Sequence, residues 1–339
     1  MLFKFKKIIP KINIPTFDGS GQAVHPDILE FKTPLVNGYK YIMAYTPWPG
    51  FRGEFEAPSL IFSEDSLNWT MDKVKNPLVE LTPDRYYYHY SDPDLVFANN
   101  TLLLYYICDF SKPGKLKNLY KCLRFSVNLL TKQWSKPYKS EILLMQSRNG
   151  IYWTDPILVV KRGGFKSLIP SSYLLFSPSV VYDSKFRMWI VESKGCTEKD
   201  NKLMYCESID GKNWDNCRRC NLQLNNYIPW HIDVQRLSNG EYWMLIAAWR
   251  KCNCISCDKL FLAFSSDAIH WHMNKQPILD ENILKEIGYD SLYRSSFIVE
   301  NGFFRLWFTG RKRRMWHIGY AESKLEEEYI DIYSSNIIF

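Results

Sequence analysis

Apolar residues along this chain recur in short alternating runs bounded by Gly, Pro, Asn, Asp or Ser, and almost nowhere at helical spacing. Residues 39–45, 102–107, 186–191, 242–248 and 303–308 are aromatic-rich runs of this kind, the pattern of half-buried strands. Each follows a shorter run that opens with polar residues two apart: His25 and Asp27, Asp92 and Asp94, Ser177 and Ser179, His231 and Asp233, Arg294 and Ser296. Only residues 280–287 read as a helix, and a short one.

A seven-residue box that begins with Ser and ends with Trp repeats from Ser63 to Trp69, Ser147 to Trp153, Ser208 to Trp214 and Ser265 to Trp271. A looser form spans residues 126–134. Asp or Asn at the third position, followed by Ser, Gly or Ala, supplies the side-chain-to-backbone bonding and tolerant dihedrals of a tight turn. Three boxes directly follow a strand-like run, so each reads as the Asp-box hairpin joining the outer two strands of a sheet. Five such units predict an all-β fold, one five-bladed propeller. It occupies residues 21–325, with an N-terminal extension over 1–20 and a tail or closing strand over 326–339. The units are longer than compact propeller repeats, so loops are inserted, the largest between residues 135 and 170.

Composition agrees: aromatic residues make up 16% of the chain, which suits pleated surfaces. A net charge of +7 falls short of the bias of dedicated nucleic-acid binders. The dense basic run from Arg311 to Arg314 reads as an exposed hairpin tip, either solvated or anion-binding. The first fifteen residues lack a signal-peptide core, and no stretch approaches the length of a spanning helix. The expected location is the cytoplasm, or release without a cleaved signal, as for a virion-associated protein. Cys217, Cys220, Cys252, Cys254 and Cys257 have spacings that fit a structural zinc site or a set of loop thiols.

In a propeller the first strand of each blade lines the central channel, and residues two apart share a face. The ring of His25, Asp27, Asp92, Asp94, Ser177, His231, Asp233 and Arg294 therefore marks the site. So many ionisable groups near one axis are costly unless they serve a ligand or pair with one another. The alternative is that they tie adjacent blades together through backbone hydrogen bonds. Trp48, Trp153, Trp230 and Trp249, with the tyrosines at 86–88, offer faces for stacking on sugar rings.

The order of strand openings and boxes resembles the five-bladed propellers of arabinanases, β-xylosidases, invertases and levansucrases, and of the related mannoside phosphorylases. That resemblance spans nearly the whole chain. It implies a glycan substrate, no cofactor for catalysis, and three carboxylates around the channel. Asp92, before Pro93, matches the stabilising Asp-Pro position. Asp27 is the candidate base or nucleophile, although His25 stands before Pro26 where those families place Asp. Glu56, before Ala57-Pro58, is the candidate acid, with Glu192 behind it. The expectation is a glycoside hydrolase. The alternatives are a non-catalytic glycan-binding propeller, such as an adhesin or viral receptor-binding subunit, and a transferase or phosphorylase in which His231 and Arg294 bind acceptor or phosphate.

Overall fold

The computed structural model describes residues 5–36, 38–81, 88–110, 139–162, 173–194, 201–251 and 253–325. Five antiparallel blades follow a short N-terminal strand, β1 (Lys7–Ile9). Blade one is β2 (Ala23–Glu30), β3 (Tyr41–Pro47) and β4 (Ser59–Ser63). Blade two is β5 (Tyr88–Ala98), β6 (Thr101–Phe110), β7 (Lys139–Ser147) and β8 (Ile157–Arg162). Blade three is β9 (Tyr173–Tyr182), β10 (Phe186–Lys194), β11 (Lys202–Ser208) and β12 (Asp215–Arg219). After β13 (Asn221–Leu222) come the strands of blade four, β14 (Tyr227–Arg236), β15 (Tyr242–Arg250), β16 (Asn253–Ser265) and β17 (His270–Met273). The helix α1 (Glu281–Glu286), capped by Asp280, precedes blade five: β18 (Ser291–Leu292), β19 (Ser296–Glu300), β20 (Phe303–Lys312) and β21 (Met315–Lys324).

The inner strands β2, β5, β9, β14 and β19 pack against one another in sequence, and β19 returns to β2. The ring is therefore closed, and apolar layers fill the wedges between blades. Two boundaries differ from expectation. The N-terminal extension is part of the propeller, because β1 pairs with β21 as the outer strand of blade five. Ile12 and Ile14 then run into the core between blades five and one. The stretch expected as the largest insertion holds β7, its box and β8, so it is mostly blade. The looser box at 126–134 and the tail at 326–339 lie outside the described residues. No described helix is long and apolar enough to cross a membrane.

All four Ser-to-Trp turns have the expected chemistry. The third residue accepts two backbone N–H bonds at 2.8–3.0 Å, from Leu67 and Asn68 to Asp65, and likewise at Asn149, Asp210 and Asp267. The fourth residue is left-handed in each: Ser66, Gly150, Gly211 and Ala268, with φ from 69° to 72°. Three turns then receive an aromatic donor from the preceding blade: Trp307 to Ser66 O, Tyr105 to Gly211 O and Trp189 to Ala268 O. The repeat thus serves blade-to-blade packing. Trp153 belongs to this system, bonded to Gly150 O and packed on the core between blades one and two.

Candidate functional site

His25, Asp92 and Ser177 each precede a proline, and each is left-handed, with φ of 56°, 51° and 46°. Non-glycine residues rarely adopt this region, and strain of this kind gathers at functional sites. The register of β2, β5 and β9 slips at the same residues. This kink separates side chains that simple alternation would place on one face. The channel residues consequently form two layers.

The deeper layer links the blades. Asp27 accepts from Leu95 N at 2.5 Å, Asp94 from Val180 N at 2.8 Å, and Ser179 from Val234 N at 2.9 Å. Asp233 accepts from Phe297 N at 3.3 Å and Ser296 from Ile28 N at 3.3 Å. Every blade thus binds the next, and the fifth binds the first. Arg294, fully buried, lies 3.0 Å from Asp94 and 3.9 Å from both Asp27 and Asp233. It also donates to Pro93 O and Pro178 O, which lie between the layers. Burial pushes the carboxyls of Asp27, Asp94 and Asp233 upward, and the Arg294 charge opposes it.

These contacts correct four assignments. Asp27 is a blade-linking residue under the Arg294 plug, because its oxygens are taken by backbone and guanidinium; it is not a free base or nucleophile. Asp94 and Asp233 share that blade-linking role, which does not fit the substrate-binding role expected of them. Arg294 is fully buried and turns its terminal amines to Pro93 O, Asp94 and Pro178 O of the channel wall, which does not fit an anchor for a ligand carboxylate or phosphate.

The upper layer is different. Asp92 Oδ1 lies 2.9 Å from His231 Nδ1 and 3.8 Å from His25 Nε2, and accepts from the Ser177 hydroxyl at 2.9 Å. Thr46 lies 2.7 Å from His25 Nδ1 and holds the ring on its other side. One donor atom from each of His25, Asp92 and His231 falls within 4.8 Å of the others. Both Nε2 atoms, buried, have no hydrogen-bond partner among the described residues. Buried polar atoms without partners are rare and costly. Two imidazoles with one carboxylate form a donor set suited to a divalent transition metal.

Electrostatics separates the nearby acids. Burial alone would raise Asp92, but the facing imidazoles, the His231 hydrogen bond and the Arg294 charge hold it well below the ordinary carboxylate range. Burial drives His25 down to about 3, so its imidazole is neutral and free to ligate. Glu56 reaches this end from the loop between β3 and β4, where its carbonyl accepts from Tyr90 N. Burial, then the charges of Asp92 and Asp109, raise its carboxyl well above the usual value. Gly53 lets this loop close in, since a Cβ there would lie 3.0 Å from His89 Nδ1 and 3.5 Å from Glu56 Oε2. Asp109, on β6 opposite His89 and bonded by the Ser140 hydroxyl, is pushed by burial to about 7.

Aromatic rings frame the cluster. Tyr293 stands 4.7 Å from the His25 ring and 4.3 Å from His231, with Trp230 4.5 Å beyond. Trp48 stacks on Trp316 at 5.5 Å, and Phe51, 41% exposed, meets both by its edge. The sequence reading named Trp48 and Trp230 but missed Tyr293, Trp316, Asp109 and Thr46. Tyr293 directly precedes Arg294, the one clue to its position. Tyr86 and Tyr87 lie outside the described residues. Glu192, half-buried on β10 opposite Leu175 and Lys202, has no recorded hydrogen bond or ion pair to this cluster among the described residues.

The cysteine cluster does not assemble among the described residues. Cys217 forms a disulfide with Cys206, joining β11 and β12. Cys220 and Cys257 are buried in separate cores, where burial raises both thiols to about 12. A neutral thiol is a poor metal ligand. Cys252 and the side chain of Cys254 lie outside the described residues.

No family model matches the chain. It is 24% identical over 360 residues to the A type blood N-acetyl-alpha-D-galactosamine deacetylase of Flavonifractor plautii, covering 90% of this chain. The chain spans under half of that relative, 45% of its length. A crystal structure of an N-acetylgalactosamine deacetylase from F. plautii, in complex with blood group B trisaccharide, superposes with a TM-score of 0.74 at 20% identity, covering 98% of this chain and 97% of that one. The xylan beta-1,4-xylosidase of Bacillus halodurans C-125 gives a TM-score of 0.59 at 14% identity, over 94% of this chain and 54% of that one. An exo-1,5-alpha-L-arabinanase from a bovine ruminal metagenomic library gives 0.52 at 15% identity, over 95% of each chain. The chain thus has the five-bladed propeller fold seen in these glycan-processing enzymes.

Proposed function

We propose that this propeller is a carbohydrate-active hydrolase that removes the acetyl group from an N-acetylated amino sugar, with His25, Asp92 and His231 holding a divalent metal. The observation that carries the reading is a cluster of His25, Asp92 and His231 whose donor atoms fall within 4.8 Å of one another, with both buried Nε2 atoms unpartnered among the described residues. Support also comes from the likeness to the F. plautii deacetylase along 90% of the chain. A divalent ion held there supplies Lewis-acid polarisation of a carbonyl and a more acidic water. Ser177 and Thr46 fix the orientation of the ligating side chains, as partners of metal ligands commonly do. Burial and the charges of Asp92 and Asp109 raise the Glu56 carboxyl well above its usual value, which suits it to donate a proton to the departing amine nitrogen. Tyr293, Trp230 and Trp48 bound the site with apolar faces that match the C–H face of a pyranose.

The deciding experiment measures acetate release from a panel of N-acetylhexosamine glycans by protein stripped with chelator and then reloaded with Zn²⁺ or Mn²⁺. Asp92→Asn and His231→Ala are expected to lose both stoichiometric metal and acetate release. Glu56→Gln is expected to keep the metal and lose about 10²–10⁴ in kcat. Acetate release that is indifferent to chelation, or a stripped protein that takes up no metal, would rule the reading out.

A second reading rests on two buried carboxyls shifted in opposite directions, Asp92 downward by its imidazole neighbours and Glu56 upward by burial. Such a pair is what glycosidic bond cleavage requires. Reducing sugar in place of acetate among the products would select it.

A further inference from the structure

The basic run at residues 311–314 is not absorbed by either reading, and the fold places it beside the site. Ser291 and Leu292 pair with Arg311 and Gly310, just before Arg294 opens the inner strand of blade five. The tip of the β20–β21 hairpin therefore projects from the same end of the propeller as His25, Asp92 and His231. The path from cluster to tip is short: Tyr293 lies 4.3 Å from His231, Trp316 lies 5.1 Å from Tyr293, and the Arg311 guanidinium lies 5.5 Å over the Trp316 ring.

Neighbouring cations at this end are already paired. Arg311 binds Asp290, Arg52 binds Glu54, and Arg250 binds Asp258 and Glu281. Lys312, Arg313 and Arg314 are exposed, and no ion pair is recorded for them among the described residues. Arg313 also sits in the left-handed region at φ 60°, a turn position where Gly or Asn relieves strain. Three unneutralised charges on a rigid hairpin, next to aromatic faces, form a fixed positive field at the rim of the site.

We propose that Lys312, Arg313 and Arg314 recognise an anionic sugar unit flanking the one that is hydrolysed, so that the preferred substrate is a polyanionic glycan bearing carboxylate or sulfate groups. This deepens the reading of the mouth as a glycan site and rests on it. Phe51 and Trp48 take the apolar face of the flanking unit, while the tip binds its charge.

The test compares two probes with the same acetylated sugar: an oligosaccharide alternating glucuronate with N-acetylglucosamine, and N-acetylchitohexaose, which is neutral. Binding is followed by calorimetry at low and high salt, and turnover by acetate release, for the wild-type protein and a Lys312→Gln/Arg313→Gly/Arg314→Gln variant. The Gly relieves backbone strain, so the variant is expected to melt no lower than the parent. The wild-type protein is expected to bind the anionic probe about tenfold more tightly, with an advantage that salt removes and the variant lacks, while the neutral probe is unaffected. A sulfated version of the neutral probe separates sulfate from carboxylate recognition.

Equal affinity for both probes, no binding of either, or an equal loss of both in the variant overturns the proposal. So does tip-dependent binding to vesicles of anionic lipid without any preference between the glycans. Failure of the catalytic reading looks different: tip-dependent binding of the anionic probe would persist with no acetate released. Deacetylation of the neutral probe alone would keep the catalytic reading and refute this one.

Discussion

Asp109 shows how much one side chain's surroundings can decide. It carries no mark in the sequence, yet the end of β6 buries it across from His89 and beside the Ser140 hydroxyl. Burial lifts it from 3.8 to about 7, and the charge of Asp92 adds to the effect. Between those values the unfolded chain releases a proton that the folded protein keeps. Stability therefore falls as pH rises from about 4 to 7 and levels off above that. Asp109→Asn removes the difference, so its urea midpoint is expected to drop less than the parent's between pH 4.5 and pH 8. Parallel pH profiles for the two proteins would show that Asp109 titrates normally.

Among the elements, the Ser-to-Trp turns are the most regular, and their fourth position shows why only certain residues occur there. A left-handed backbone with a neighbouring blade close by leaves little room. A Cβ on Gly211 would lie 2.7 Å from the Tyr105 hydroxyl, at φ +72°. Gly211→Ala is therefore expected to cost about 1–3 kcal/mol, by strain and by displacement of the Tyr105 bond. Ala268, at the same φ, already bears a Cβ. Ala268→Gly is expected to be neutral or mildly stabilising in the same denaturant assay. A Gly211→Ala protein as stable as its parent would mean that these turns do not lock the blades.

At the scale of the whole molecule, closure is achieved twice. At the periphery β1 completes blade five, so the start of the chain holds its end. At the axis five side chains bind five backbone N–H groups in a continuous circuit, with Arg294 among the three aspartates. Removing the cation leaves buried carboxyls uncompensated. Arg294→Met is expected to destabilise the protein by about 3–5 kcal/mol, and more at pH 8 than at pH 5, where the carboxyls can hold protons. Chemical denaturation at the two pH values measures both effects. A loss independent of pH would show that packing, and not charge, is what Arg294 supplies.

The sequence alone determined the blade count, the inner-strand openings and the four turns, because each is written in local chemistry: alternation, Asx bonding and residues tolerant of positive φ. It also contained His25, Asp92 and His231, for the same period-two reason. What it did not reveal was which channel residues face a ligand. Alternation places His25 with Asp27 and Asp92 with Asp94, and only the left-handed kinks before Pro26 and Pro93 divide them into an upper layer around Asp92 and a blade-linking one below. Partners distant in sequence were equally hidden: β1 with β21, Arg294 with Asp94, and the basic tip with the mouth. Contacts of that kind arise only when the ring closes, since closure sets which side chains share a layer and which are left to bind something else.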